Sequence, residues 1–140
     1  MNPSHIEHIG IAVEDLESAI SFYENIFGLK CYKIEDVPDQ KVKTAFFMIG
    51  ETKIELLAST DTDSPVGKFI EKRGEGIHHI AFAVEKIDEK LKFASEAGIR
   101  LIDSKARRGA EGLNIAFLHP KSTFGVLTEL CEESNKKHND

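Results

Sequence analysis

Four side chains in this 140-residue chain have the chemistry to hold a divalent metal ion, and they come as two matched pairs. His8 opens the run His8-Ile9-Gly10-Ile11-Ala12-Val13-Glu14, and His79 opens His79-Ile80-Ala81-Phe82-Ala83-Val84-Glu85. Glu55 sits in Lys53-Ile54-Glu55-Leu56-Leu57, and Glu129 in Leu127-Thr128-Glu129-Leu130-Cys131. Two imidazoles and two carboxylates suit one divalent ion such as Co, Zn, Ni or Fe, and the carboxylates extend the range to Mn. Neither glutamate has a helical His-x-x-x-His partner, so the pattern is not that of a zincin. Taken singly, each histidine reads as a strand-start residue and each glutamate as a solvent-facing strand residue. Taken in duplicate register, the four make a candidate ligand set. Leu57 shares a strand face with Glu55, and Leu127 with Glu129. A carboxylate on a partly apolar face is costly to bury unless it is paired or bound to metal.

The elements that position these residues follow from the local pattern. Alternation puts His79, Ala81 and Ala83 on one face of a strand and Ile80, Phe82 and Val84 on the other. His8, Gly10 and Ala12 do the same near the N-terminus, so small side chains leave room beside each imidazole. Asp15 is a helix N-cap, and Leu16, Ala19, Ile20, Tyr23 and Phe27 recur at helical spacing before Gly28. Ile87, Leu91, Phe93, Ala94 and Ala97 repeat that helix before Gly98. The spacing predicts further strands over 29–35, 42–49 and 53–58 in the first half, and over 100–104, 113–118 and 126–131 in the second. Gly50-Glu51 reads as a hairpin turn, 61–64 as a mobile polar segment, and Pro65 as the start of a short helix over 66–72. The basic segment 107–112 reads as a loop and 120–125 as a turn. The charged stretch 132–140 is expected to fray. Phe22, Tyr23, Phe27, Phe82 and Phe93 are expected in the core.

Each half is thus βαβββ, with repeats at about 5–73 and 76–133 of one domain spanning 1–140. Two such units related by a pseudo-twofold can curl an eight-stranded mixed sheet around a shared cleft. The expected class is α+β, with the metal in that cleft.

A net charge of −6 argues against general nucleic-acid binding. No apolar run approaches a membrane span, and the opening residues are not expected to act as a signal peptide. Cys31 and Cys131 form no CxxC or metal-clip spacing, and fit a reduced, cytoplasmic protein, although a disulfide between them stays open.

The paired runs resemble the vicinal oxygen chelate superfamily, and most closely its methylmalonyl-CoA epimerases. The resemblance runs from His8 to Glu132. It is carried by His8–Val13, by Asp63-Ser64-Pro65-Val66-Gly67-Lys68-Phe69-Ile70, by Gly76–Phe82, and most specifically by 117–130. It implies that His8, His79 and Glu129 are metal ligands, with Glu55 at a position where several epimerases carry glutamine. It further implies an acyl-CoA substrate, epimerisation at C2 of methylmalonyl-CoA through an enolate, and a homodimer. Glu129 is then one proton carrier. Some epimerases place the other, a glutamate, on the third strand, where this chain has Thr44, so Glu55 is the substitute candidate. In the turn His119-Pro120-Lys121-Ser122, Lys121 and Ser122 either meet the substrate carboxylate or shape the turn. Arg107 and Arg108, with Lys105, either meet coenzyme A phosphates or form a solvated basic loop. Two rivals stand beside this reading. Glyoxalase I, a lactoylglutathione lyase, shares the His-Glu-His-Glu order. A binding protein of the bleomycin-resistance type would hold a small molecule without metal.

Overall fold

A computed structural model describes residues 1–133. Two compact units make it up, one of residues 8–78 and one of residues 1–7 together with 79–133.

In the first unit, β1 (His5–Ala12) contributes from His8 onward. Helix α1 (Leu16–Phe27) follows. Asp15 caps it, its Oδ1 accepting from the Ser18 N–H at 3.2 Å. Gly28 ends it at φ +68°, a left-handed conformation that suits glycine. Strands β2 (Lys33–Val37), β3 (Val42–Ile49) and β4 (Thr52–Ser59) form an antiparallel meander, and β1 lies parallel to β4. Helix α2 (Pro65–Arg73) ends at Gly74. The second unit repeats the plan. Strand β5 (Gly76–Ala83), which contributes from His79 onward, pairs in parallel with β8 (Thr128–Glu132), helix α3 (Ile87–Glu96) follows β5, and β7 (Asn114–Leu118) and β6 (Arg107–Arg108) continue antiparallel from β8. The class is α+β with two βαβββ modules in tandem.

In each unit the strands have one face covered by the unit's long helix. Ala45, Phe47, Leu56 and Ala58 pack on Leu16, Ala19, Ile20 and Tyr23 of α1. Leu118, Ala116 and Leu130 pack on Ile87 and Leu91 of α3. The histidines and glutamates occupy the opposite faces. In the first unit α2 covers the far end of that face, where Val66 meets Ala12, Val42 and Leu57.

Several expected boundaries move, each for a local reason. The strand expected over 29–35 begins at Lys33, because Leu29 and Cys31 still pack into the α1 core. The strand expected over 100–104 is absent. The Ile102 and Asp103 N–H groups share one acceptor, the Phe117 carbonyl, and only Leu101 forms a bridge, to Leu118. The edge strand lies instead at Arg107–Arg108, inside the segment read as a loop. Strand β8 starts at Thr128, not 126, because the Val126 carbonyl accepts from the Thr123 and Thr128 hydroxyls and so belongs to the turn. The segment 61–64 is a hydrogen-bonded turn: Ser64 is fully buried, bonds the Ser59 hydroxyl at 2.6 Å and caps α2 by accepting from the Gly67 N–H. Phe22, Phe27 and Phe93 are at least half exposed and lie outside the core, while Tyr23 and Phe82 pack against it. The expectation of a frayed end concerns 132–140, and from 134 on it lies outside the described residues. Among the described residues no helix is long and apolar enough to cross a membrane.

Candidate functional site

In the first unit, parallel pairing of β1 with β4 sets Gly10 beside Glu55 and Ala12 beside Leu57. With no side chain at Gly10, the Glu55 carboxylate reaches along β1 to the imidazole of His8. His8 Nδ1 lies 3.2 Å from Glu55 Oε2, and both side chains are 5% exposed. Antiparallel pairing with β3 puts Phe46 opposite Glu55 and Thr44 opposite Leu57, so both share the glutamate's face. Thr44 and Phe46 are buried.

The second unit repeats the contact. Ala81 stands beside Glu129 across the β5–β8 pairing, and Phe117 stands opposite Glu129 across β7–β8. His79 Nε2 lies 3.0 Å from Glu129 Oε1, with both side chains buried. The other oxygen, Oε2, accepts from the Cys131 thiol at 3.2 Å. The Phe117 ring meets the His79 ring edge to face, with centroids 5.6 Å apart and planes at 82°. Cys31 and Cys131 form no disulfide.

Each pair can be tested against a metal ion by its spacing. Two donors about 2.1 Å from an ion and at right angles stand roughly 3.0 Å apart. The observed 3.0 and 3.2 Å fit such neighbouring ligands. The donor chemistry fits as well, since imidazole nitrogen and carboxylate oxygen are ordinary ligands for Zn, Co, Ni and Mn. Each buried carboxylate would otherwise need compensation for lost solvation, which its histidine supplies in part.

The remaining expected site residues are spread more widely. Arg107 lies opposite Ile115 on β7, which gives it the Glu129 face; Arg108, opposite Asn114, takes the other face. Lys121 and Ser122 lie in a short helical turn after β7. Lys121 is exposed, and the Ser122 hydroxyl accepts from the Arg100 N–H at 2.9 Å. In the same turn the His119 Nδ1 accepts from the Lys121 N–H at 3.1 Å.

Sequence reasoning missed Phe46, Phe117 and Cys131 as neighbours of the glutamates. The duplication hides the aromatic pair in linear spacing. Strands β3 and β4 are joined by the two residues 50–51, whereas residues 119–127 separate β7 from β8. Phe46 and Phe117 are therefore equivalent in register but not in distance along the chain from their glutamates.

The glyoxalase/bleomycin resistance protein/dioxygenase superfamily model matches residues 7–117. An uncharacterised Bacillus subtilis protein is 47% identical over 98% of both chains. An ethylmalonyl-CoA/methylmalonyl-CoA epimerase of Cereibacter sphaeroides is 41% identical, over 89% of this chain and 95% of its own. A crystal structure of a Streptomyces coelicolor methylmalonyl-CoA epimerase variant, in complex with 2-nitronate-propionyl-CoA, superposes with a TM-score of 0.92 at 38% identity, over 96% of this chain and 97% of that one. The chain thus belongs to the glyoxalase/bleomycin resistance protein/dioxygenase superfamily, as a relative of its methylmalonyl-CoA epimerases.

Proposed function

We propose that the protein is an acyl-CoA epimerase that interconverts the two C2 epimers of methylmalonyl-CoA. The observation that carries this reading is the buried histidine–glutamate contact made twice, at equivalent positions of two modules, in a chain related along nearly its whole length to such epimerases. His8, Glu55, His79 and Glu129 would together hold one divalent ion. Bound there, the ion would supply Lewis-acid charge that stabilises the negative charge developing as the C2 proton leaves. Glu129 takes that proton on one face of C2: the C–H bond breaks, an O–H bond forms, and the electron pair moves into the enolate. A protonated Glu55 returns a proton to the opposite face, which inverts the centre. The apolar neighbours Phe46 and Phe117 keep water from the two carboxylates. Lys121 and Ser122 are candidate contacts for the substrate carboxylate, and Arg107 and Arg108 for coenzyme A. We further place the protein in the cytoplasm as a homodimer; a monomeric mass at micromolar concentration would contradict the dimer.

Glu55 as a fourth carboxylate-type ligand also suits a glyoxalase, and an Arabidopsis thaliana lactoylglutathione lyase is a more distant relative at 26% identity over 43% of its length. A side-by-side assay separates the two. The metal-loaded protein should interconvert (R)- and (S)-methylmalonyl-CoA and leave the methylglyoxal–glutathione hemithioacetal unchanged. The reverse result would replace the epimerase reading with the lyase.

A further inference from the structure

In the second unit one carboxylate holds Phe117 from two directions. The Phe117 N–H donates to Asp103 Oδ2 at 2.8 Å. The other oxygen, Asp103 Oδ1, accepts from Arg107 Nε at 3.1 Å, and the Arg107 guanidinium carbon stands 5.8 Å from the centre of the Phe117 ring. The backbone of Asp103 meets the same residue: its N–H donates to the Phe117 carbonyl at 3.3 Å, beside the Ile102 N–H at 2.9 Å. Between the two charged residues, the Ala106 N–H donates to Asp88 Oδ1 on α3 at 3.2 Å and ties the loop down. All of these residues belong to the unit that carries His79 and Glu129.

The arrangement stands in for a missing strand. In the first unit the Tyr32 N–H donates to the Phe46 carbonyl at 3.0 Å, and β2 then continues along β3 with Lys33 opposite Phe46. In the second unit the chain reaches the Phe117 carbonyl in the same way, but no strand forms over 100–104. A backbone N–H withdrawn from water needs a partner, and the Asp103 side chain supplies it. An aspartate that bonds a nearby N–H often does no more than close a turn. Here the bond joins residues 14 apart, the carboxylate side chain is 17% exposed, and its second oxygen holds a guanidinium beside the ring of the same residue. That ring in turn meets the His79 imidazole edge to face, at 5.6 Å between centroids. The torsion that turns an imidazole about its own axis is broad. A fixed ring beside it therefore helps select the orientation in which His79 Nε2 stands 3.0 Å from Glu129 Oε1.

We propose that Asp103 is a positioning residue: by fixing Phe117 at its backbone and, through Arg107, at its ring, it holds the His79 imidazole turned toward Glu129. What the imidazole is then used for rests on the epimerase reading above. The test reads the His79 ring protons by NMR in the full chain, kept metal-free with chelator. Phe117→Leu removes the ring and so defines how far its ring current displaces those protons. Asp103→Ala should lose most of that displacement. Asp103→Asn, which keeps an oxygen for the Phe117 N–H, should lose only part of it. Asp103→Ala placed in the Phe117→Leu background should change nothing further. In Co²⁺-loaded protein, Asp103→Ala should lower kcat for methylmalonyl-CoA epimerisation roughly tenfold and leave KM within about twofold. If the alanine variant does not fold, the asparagine variant carries the test, and its partial loss must vanish in the Phe117→Leu background. His79 protons at their parent positions in Asp103→Ala, or shifted equally with and without the Phe117 ring, would overturn the positioning role, as would a parent kcat. A parent protein that leaves both epimers of methylmalonyl-CoA unchanged would overturn the epimerase reading alone, because the NMR coupling needs no substrate.

Discussion

In the proposed reaction Glu55 and Glu129, with the same side chain and the same kind of neighbours, would differ only in the face of C2 each serves. Replacing Glu55 with Gln keeps an oxygen ligand and removes the transferable proton. Metal should stay bound, and C2 exchange from one epimer should survive with the proton returned to the same face. Net epimerisation should fall about a hundredfold. Glu129→Gln should instead damage exchange from the other epimer. Following solvent deuterium into each epimer by mass spectrometry checks both variants. A Glu55→Gln protein that epimerises at the parent rate would leave Glu55 as a ligand alone, and the second acid would then be a bound water or a group near Thr44. A second residue-scale prediction concerns His119. Loss of solvation, and then the charges of Arg100 and Lys121, hold its imidazole below the usual 6.5. The Lys121 N–H that donates to its Nδ1 also needs the unprotonated ring. The folded protein therefore takes up fewer protons here than the unfolded chain. The stability this contributes is present above 6.5 and is lost as pH falls from there through the folded value. An NMR titration of His119 should show a midpoint below that of a free histidine, and a midpoint at or above it would contradict the assignment.

At the scale of elements, the segment after β4 makes the sharpest prediction. A Cβ at Gly67 would stand 2.9 Å from the Thr62 carbonyl oxygen and 3.1 Å from that of Asp61, both backbone atoms of the turn that Ser64 closes. Such overpacking costs typically about 1–3 kcal/mol, so Gly67→Ala should lower the unfolding free energy by that amount and with it the urea midpoint, and an unchanged midpoint would mean that the turn yields. This turn was not legible in the sequence, where Asp61 to Ser64 reads as polar and loose. Its order comes from the Ser59–Ser64 contact, which depends on where β4 ends. Helix α1 was legible, because Asp15 and Gly28 are local signals that act within a few residues. The start of α3 was less so: Lys86 makes no side-chain cap, and the Glu132 carboxylate accepts the Lys86 and Ile87 N–H groups from β8. Edge strand β6 was missed for the same reason. Two arginines carry no strand pattern, and pairing with Ile115 and Asn114 makes them a strand. The two histidines and two glutamates were readable because duplication marks them twice. The aromatic neighbours Phe46 and Phe117 were not, because their connections to the glutamates differ in length.

At the scale of the whole molecule, the proposed ion would take ligands from both modules. An ion that binds the folded chain and not the unfolded one stabilises the fold by about 4 kcal/mol at a thousandfold excess over its dissociation constant. Chelator-treated protein should therefore melt lower than Co²⁺-loaded protein, and His8→Ala and His79→Ala should each remove most of the difference. A metal response that needs only one of the two histidines would place the ion within a single module. The central claim, metal-assisted proton transfer at C2 by this ligand set, is tested most directly by deuterium wash-in. Metal-free and Co²⁺-loaded protein are incubated with (2R)- and, separately, (2S)-methylmalonyl-CoA in deuterated water, and C2 deuterium is followed with time. The account predicts wash-in from both epimers with Co²⁺ present, little without it, and loss of the metal-dependent part in His79→Ala. Wash-in at the same rate with and without metal, or none from either epimer with metal bound, would contradict it.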